Sequence, residues 1–140
     1  MRFWDTAALL PLIMAEPTSQ QMLDLLDSDD EVVVWWGTVL ECHSAFSRRF
    51  REGALSSDEL QRAKLRLHGL AARSLEVAPS EAVRVTAQRL VAVYPLRAAD
   101  SLQLAAALAW AENDAICHPF VTLDQRLRTA AQQENFAVLP

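Results

Sequence analysis

Short apolar runs alternate along this chain with longer segments of helical period, and that alternation decides the fold class. Glu31-Val-Val-Val-Trp-Trp36 is β-branched and aromatic, the composition of a buried strand. Arg2–Trp4, Phe120–Leu123 and Phe136–Leu139 are shorter runs of the same kind. Helices are predicted from Ala7 and over Ser19–Asp27, Thr38–Arg51, Ser57–Ala72, Ser80–Val93, Ala98–Glu112 and Gln125–Gln133. Pro11 is expected early in the first helix, where a missing N–H costs least. Pro95 should end the Ser80–Val93 helix. Ala98–Glu112 is apolar nearly all round, the mark of a buried helix. The alternation predicts an α/β chain with three layers, α/β/α, around a central, mostly parallel sheet of four to five strands. A length of 140 residues suits one domain, expected over 1–140. Ligands of such sheets bind beyond the carboxyl ends of the strands, so the chemistry is sought there.

Several function classes are excluded early. Only Gly37, Gly53 and Gly69 occur, so no glycine-rich phosphate loop or dinucleotide fingerprint exists. No G-x-S-x-G elbow is present, and His68 falls in an amphipathic helix as an ordinary surface or half-buried residue. Cys42 and Cys117 form no disulfide framework, which points to reduced thiols. The start, MRFWDTAALL, has no small-residue cleavage site. The longest apolar stretch, Leu102–Ala111, is interrupted by Gln103 and too short to span a bilayer. A cytoplasmic protein with no membrane partner is expected. The net charge of -5 argues against a simple nucleic-acid-binding module. It is compatible with a nuclease whose acids are neutralised by cations.

Four acids stand out by position. Asp5 ends the first predicted strand, and Asp124 ends the Phe120–Leu123 strand. Glu41 lies in the first turn of the helix after Val32–Trp36, and Asp100 opens the apolar helix. Three therefore sit at strand-to-helix junctions on one edge of the sheet. Asp100 joins them if its helix starts at that edge. Clustered carboxylates raise one another's pKa, and a hard divalent cation such as Mg²⁺ or Mn²⁺ resolves the conflict. Two such ions can activate a water and stabilise the leaving oxygen in phosphodiester cleavage. Each acid also has a plainer reading. Thr38-Val-Leu-Glu41 matches a capping box, Asp100-Ser-Leu-Gln103 follows the same logic, and Asp5 and Asp124 could be caps. On the Thr38–Arg51 helix, Val39, Cys42, Phe46 and Phe50 should form the core face, with Glu41, Ala45 and Arg48 roughly opposite.

At this point the segments Phe3-Trp-Asp-Thr-Ala-Ala-Leu-Leu-Pro11, Thr38-Val-Leu-Glu-Cys-His-Ser-Ala-Phe46, Leu96-Arg-Ala-Ala-Asp-Ser-Leu-Gln-Leu-Ala-Ala-Ala107 and Phe120-Val-Thr-Leu-Asp-Gln-Arg-Leu127 can be taken together. In this order, and spread over the whole chain, they resemble the PIN-domain ribonucleases, most closely the VapC-type toxins of bacterial toxin–antitoxin pairs. The resemblance implies a PIN-like fold and a Mg²⁺ or Mn²⁺ site formed by Asp5, Glu41, Asp100 and Asp124. It implies supporting hydroxyls from Thr6 and Thr122. It also implies an endoribonuclease acting on RNA, neutralised by a cognate antitoxin and commonly a homodimer. Trp35-Trp36-Gly37 and Cys117-His118-Pro119 depart from the family's usual residues, and they bear on the entrance and on RNA preference.

The chemistry itself does not select RNA, because a water nucleophile needs no 2′-hydroxyl. Arg48, Arg49 and Arg51 form a basic run beside Glu41, either a solvated helix face or a phosphate track toward the site. Cys42-His43 and Cys117-His118 raise a zinc module, but adjacent ligands do not match the spaced pairs of structural zinc sites. The stronger rival is a PIN-like module that binds a protein or RNA without cleaving it, its acids serving as caps.

Overall fold

Every residue of β2 (Val32–Trp35) is buried, so the segment reads as an unbroken apolar run and not as an alternating one. A computed structural model describes residues 1–112 and 114–140 of the chain. Among these, β1 (Arg2–Trp4), β2, β3 (Leu75–Val77), β4 (Pro119–Val121) and β5 (Ala137–Leu139) form one sheet in the order β3-β2-β1-β4-β5. All four pairings are parallel. The expected architecture is present, with a sheet that is wholly parallel.

Successive strand residues point to opposite faces, and helices cover both. Trp4, Val32, Val34 and Val121 pack with α1 (Thr6–Ile13), α2 (Ser19–Ser28), α3 (Thr38–Arg51) and α4 (Ser57–Ala71). Phe3, Val33, Trp35 and Phe120 pack with α5 (Glu81–Val93), α6 (Ala98–Trp110) and α7 (Gln125–Gln133). Phe3 and Phe120 stack across β1 and β4 with centroids 5.4 Å apart. The chain order reverses between β1 and β4, since β2 and β3 run out to one side and β4 and β5 to the other. That reversal opens a crevice at their carboxyl ends, where Asp5, Thr122 and Asp124 emerge.

Some boundaries differ from the sequence expectation, for identifiable reasons. Strand β3 was not anticipated. Its residues are exposed or half-buried on the sheet edge, so no hydrophobic run marks it. Helix α1 starts at Thr6 because Asp5 caps it, its side chain accepting from the Ala8 N–H at 2.9 Å. Pro11 therefore falls late in α1, not in its first turn. The helix ends two residues later, and the Ser19 hydroxyl donates to the Pro11 carbonyl at 2.6 Å. Helix α6 stops at Trp110, short of Glu112. On α3, Phe50 is exposed and Ala45 buried, the reverse of their expected sides. Gly37 has a packing role: a Cβ there would lie 2.5 Å from the Trp35 indole nitrogen, so the indole can fold back only over glycine.

Candidate active site

The four acids arrive from four different elements. Asp5 follows β1 and caps α1; Glu41 lies in the first turn of α3. Asp100 is in the first turn of α6, whose N-terminus does point to the carboxyl edge of the sheet. Asp124 follows β4 and caps α7. All four line one open cavity of about 260 Å³, together with Thr6, Gln103 and Arg48. Thr122 lies beneath, its hydroxyl fully buried and donating to Asp5 Oδ2 at 2.8 Å.

The capping readings separate cleanly. Asp5 and Asp124 are helix caps, and Asp124 Oδ1 accepts from both Arg126 and Leu127 N–H at 2.8 Å. Thr38 is no cap, because α3 is preceded by Gly37 and makes no side-chain cap bond. Glu41 accordingly does not reach back: its Oε2 accepts from Thr6 at 2.8 Å and its Oε1 from Gln103 at 3.2 Å. Asp100 does not cap α6 either. The helix begins at Ala98, and Asp100 accepts from the Arg97 N–H at 3.3 Å.

Electrostatics tie the acids together. Burial pushes the Asp5 carboxyl up to about 7, and the charges of Asp124 and Glu41 add to the rise. Hydrogen bonds from Thr122 and Ala8 oppose it. Glu41 is also raised, first by burial and then by Asp100, against the hydrogen bonds from Thr6 and Gln103. Among the described residues, no three Asp, Glu, His or Cys side chains are drawn together tightly enough to hold an ion as they stand. Each acid is tethered instead by donors of the chain. The donor set is nevertheless all carboxylate oxygen, and a buried acid resisting ionisation is relieved by a cation. These residues therefore fit a hard divalent ion.

A model of the PIN domain matches residues 2–133. The chain belongs to the PIN-domain family. No curated protein sequence gives a significant match. Three solved structures share the PIN fold with it. The crystal structure of FitAcB from Neisseria gonorrhoeae superposes with a TM-score of 0.71 at 20% identity, covering 100% of this chain and 97% of that one. FitAB bound to an IR36 DNA fragment gives 0.67 at 20% identity over 99% and 94%. VapBC2 from Rickettsia felis, bound to a DNA fragment from its promoter, gives 0.67 at 15% identity over 99% and 96%.

Within this PIN domain, the remaining sequence candidates divide by position. Thr6 and Thr122 touch the acids directly. Arg48 lines the cavity, whereas Arg49 is held by Glu16 at 2.6 Å. Arg51 is exposed in the last turn of α3 and is not part of the cavity wall. Burial pushes the Cys42 thiol up to about 12, so it stays protonated within the core. Cys117 is exposed, and the zinc reading finds no converging donors among the described residues. Gln103 was missed as a site residue. Its signal was present, as the one amide within the apolar run Leu102–Ala111.

Proposed function

We propose that this PIN-domain chain is a metal-dependent endoribonuclease of the VapC type, neutralised by a cognate antitoxin. One observation carries the reading: four carboxylates from four elements line a single cavity at the point where the strand order reverses. PIN domains generally use a divalent metal, and Asp5, Glu41, Asp100 and Asp124 would hold Mg²⁺ or Mn²⁺ here. A bound divalent ion supplies Lewis-acid activation of water and neutralisation of phosphate charge.

The chain's own residues do the rest. Thr122 and the Ala8 N–H fix both oxygens of Asp5, and Asp124 is fixed by the first turn of α7. The N-termini of α1, α3, α6 and α7 meet at the cavity, so their positive ends favour a phosphodiester there. Arg48 stands on the wall where a flanking phosphate would pass. An antitoxin partner, an RNA substrate and a homodimer are carried over from the VapC-type family, and the two free cysteines suit a cytoplasmic setting. Two of the similar structures are complexes bound to DNA fragments, which supports a partner protein for this chain. Among the described residues, no helix is long and apolar enough to cross a membrane.

A binding-only PIN module is the second reading, favoured by the fact that Asp5 and Asp124 are ordinary helix caps. Incubating RNA with the chain and Mn²⁺, with excess chelator, and with an Asp100→Asn variant separates the two. Cleavage should require Mn²⁺ and fall on the order of 100-fold in the variant. Equal cleavage in every lane would indicate a contaminant. Intact RNA throughout would leave the binding module.

A further inference from the structure

Gln103 sits 2% exposed in a stretch of α6 whose next five residues are all buried and apolar. An amide buried in such a setting weakens the fold unless its hydrogen bonds are made. Its bonds all leave the helix, toward α1 and α3. The two protons of the amide nitrogen face three acceptors, Thr6 Oγ1 at 2.9 Å, Thr38 Oγ1 at 3.0 Å and Glu41 Oε1 at 3.2 Å, so one proton is shared, and the amide oxygen accepts from Thr38 at 3.4 Å. The orientation is dictated by Glu41, which as a carboxylate can only accept, so the nitrogen must face it. Thr6, having accepted from Gln103, donates its own hydroxyl to Glu41 Oε2 at 2.8 Å. Both oxygens of Glu41 are therefore gripped, one directly and one through Thr6. A carboxylate has about four acceptor sites, so gripping two fixes its plane and leaves the others for the cavity.

We propose that Gln103 is a positioning residue, which sets the Glu41 carboxylate in the orientation that receives the divalent ion. This rests on the metal-dependent reading above. It makes α6 contribute twice to the site, with Asp100 as a wall acid and Gln103 as the brace of an acid on the opposite layer.

The test is a double-mutant cycle on Mn²⁺ affinity, read from the electron paramagnetic resonance signal of free Mn²⁺ over the full chain without RNA. Gln103→Met keeps the side-chain length and removes the donors. It should weaken Mn²⁺ binding about 10-fold when Glu41 is present, and less than about 2-fold in a Glu41→Ala background. Equal losses in both backgrounds would mean that Gln103 only fills the core, and would overturn the proposal. If Glu41→Ala itself leaves Mn²⁺ affinity unchanged, the metal reading falls and the proposal with it, by a different pattern of results. Should Gln103→Met fail to fold, Thr6→Val removes the other grip. It should weaken Mn²⁺ binding several-fold, and Thr6→Ser should restore it, whereas unchanged affinity in Thr6→Val would count against the brace.

Discussion

The four acids of the cavity are held by different means. The inner pair, buried Asp5 and half-buried Glu41, is held by side chains from distant parts of the chain: Thr122 lies 117 positions from Asp5, and Gln103 lies 62 from Glu41. Asp5 is held by the Ala8 N–H as well. Among the described residues, the outer pair, Asp100 and Asp124, is held by backbone N–H groups two or three residues away. The first pair is pushed toward the neutral form by burial and by neighbouring charge. The outer acids serve the fold as first-turn or cap residues of their helices, with local bonds that any helix start could make. An anionic site is thus assembled from unequal parts. The buried charge of Asp5 and Glu41 opposes the metal-free fold, although Asp5 also caps α1, and the local bonds of Asp100 and Asp124 support it.

Asp5→Asn should break this asymmetry most visibly. The amide oxygen can still cap α1, and the Thr122 hydroxyl can reverse its role and accept. The buried charge is gone. Cleavage of RNA should fall on the order of 1,000-fold, while the metal-free protein gains on the order of 3 kcal/mol at pH 8. The pH dependence follows from the sign of the shift. Asp5 has an unfolded value near 3.8 and a folded value of about 7. Below pH 3.8 both states carry the proton and nothing is lost. Between 3.8 and 7 the unfolded chain has released it and the folded chain has not, so stability falls as pH rises. Above 7 the loss stays constant. Glu41 acts in the same direction. Asp29, Glu59 and Glu134 are shifted down, and their contribution runs the other way, already complete above the ordinary carboxylate range. Thermal melts of the metal-free chain should therefore show stability declining from pH 5 to 7. Asp5→Asn should flatten that decline, and Mn²⁺ should raise the wild-type melting temperature more at pH 7 than at pH 5. A rising profile over the same range would refute the account of the inner pair.

The same asymmetry explains how far the residues could be read in order. Asp5 and Asp124 announce themselves because strand ends and helix starts are local patterns, and both the cap and the site lie where those patterns meet. The sheet was legible where burial makes apolar runs, as at Val32–Trp35, and illegible at Leu75–Val77, whose edge position leaves it exposed. Glu41 was found from its place in the first turn of the helix after a strand, and its plainer reading, a capping box with Thr38, does not form. Its true partners, Thr6 and Gln103, are long-range, and nothing in helical spacing relates position 103 to position 41. Phe50 was placed in the core by periodicity alone, but it is exposed, one turn beyond the buried Phe46.

On the outer side, Asp124 separates its two roles by the choice of replacement. Asp124→Asn keeps an oxygen for the Arg126 and Leu127 N–H groups and removes the charge. Stability should change by less than about 0.5 kcal/mol, while cleavage falls on the order of 100-fold. Asp124→Ala removes the cap as well and should cost about 1 kcal/mol more in urea unfolding. If Asn and Ala prove equally stable, the cap is not what holds this residue. If Asn cleaves normally, the outer wall is structural and the inner pair alone forms the site.

The smallest effect concerns the three arginines of α3, which share one helix turn but not one environment. All three face the negative end of the helix, which suffices to explain a basic last turn. Arg49 is engaged by Glu16, so Arg49→Ala should act on stability, by at most about 1 kcal/mol, since the pair is partly exposed. Arg48 is the one on the cavity wall. In an Asp100→Asn background that does not cleave, binding of single-stranded RNA can be followed against salt concentration. Each phosphate contact contributes roughly 0.7 to the slope of log affinity against log salt. Arg48→Ala should lower the slope by about that amount, and Arg51→Ala should leave it unchanged. Equal slopes for Arg48→Ala and Arg51→Ala would mean that RNA does not follow α3 into the cavity. The basic run would then belong to the helix alone.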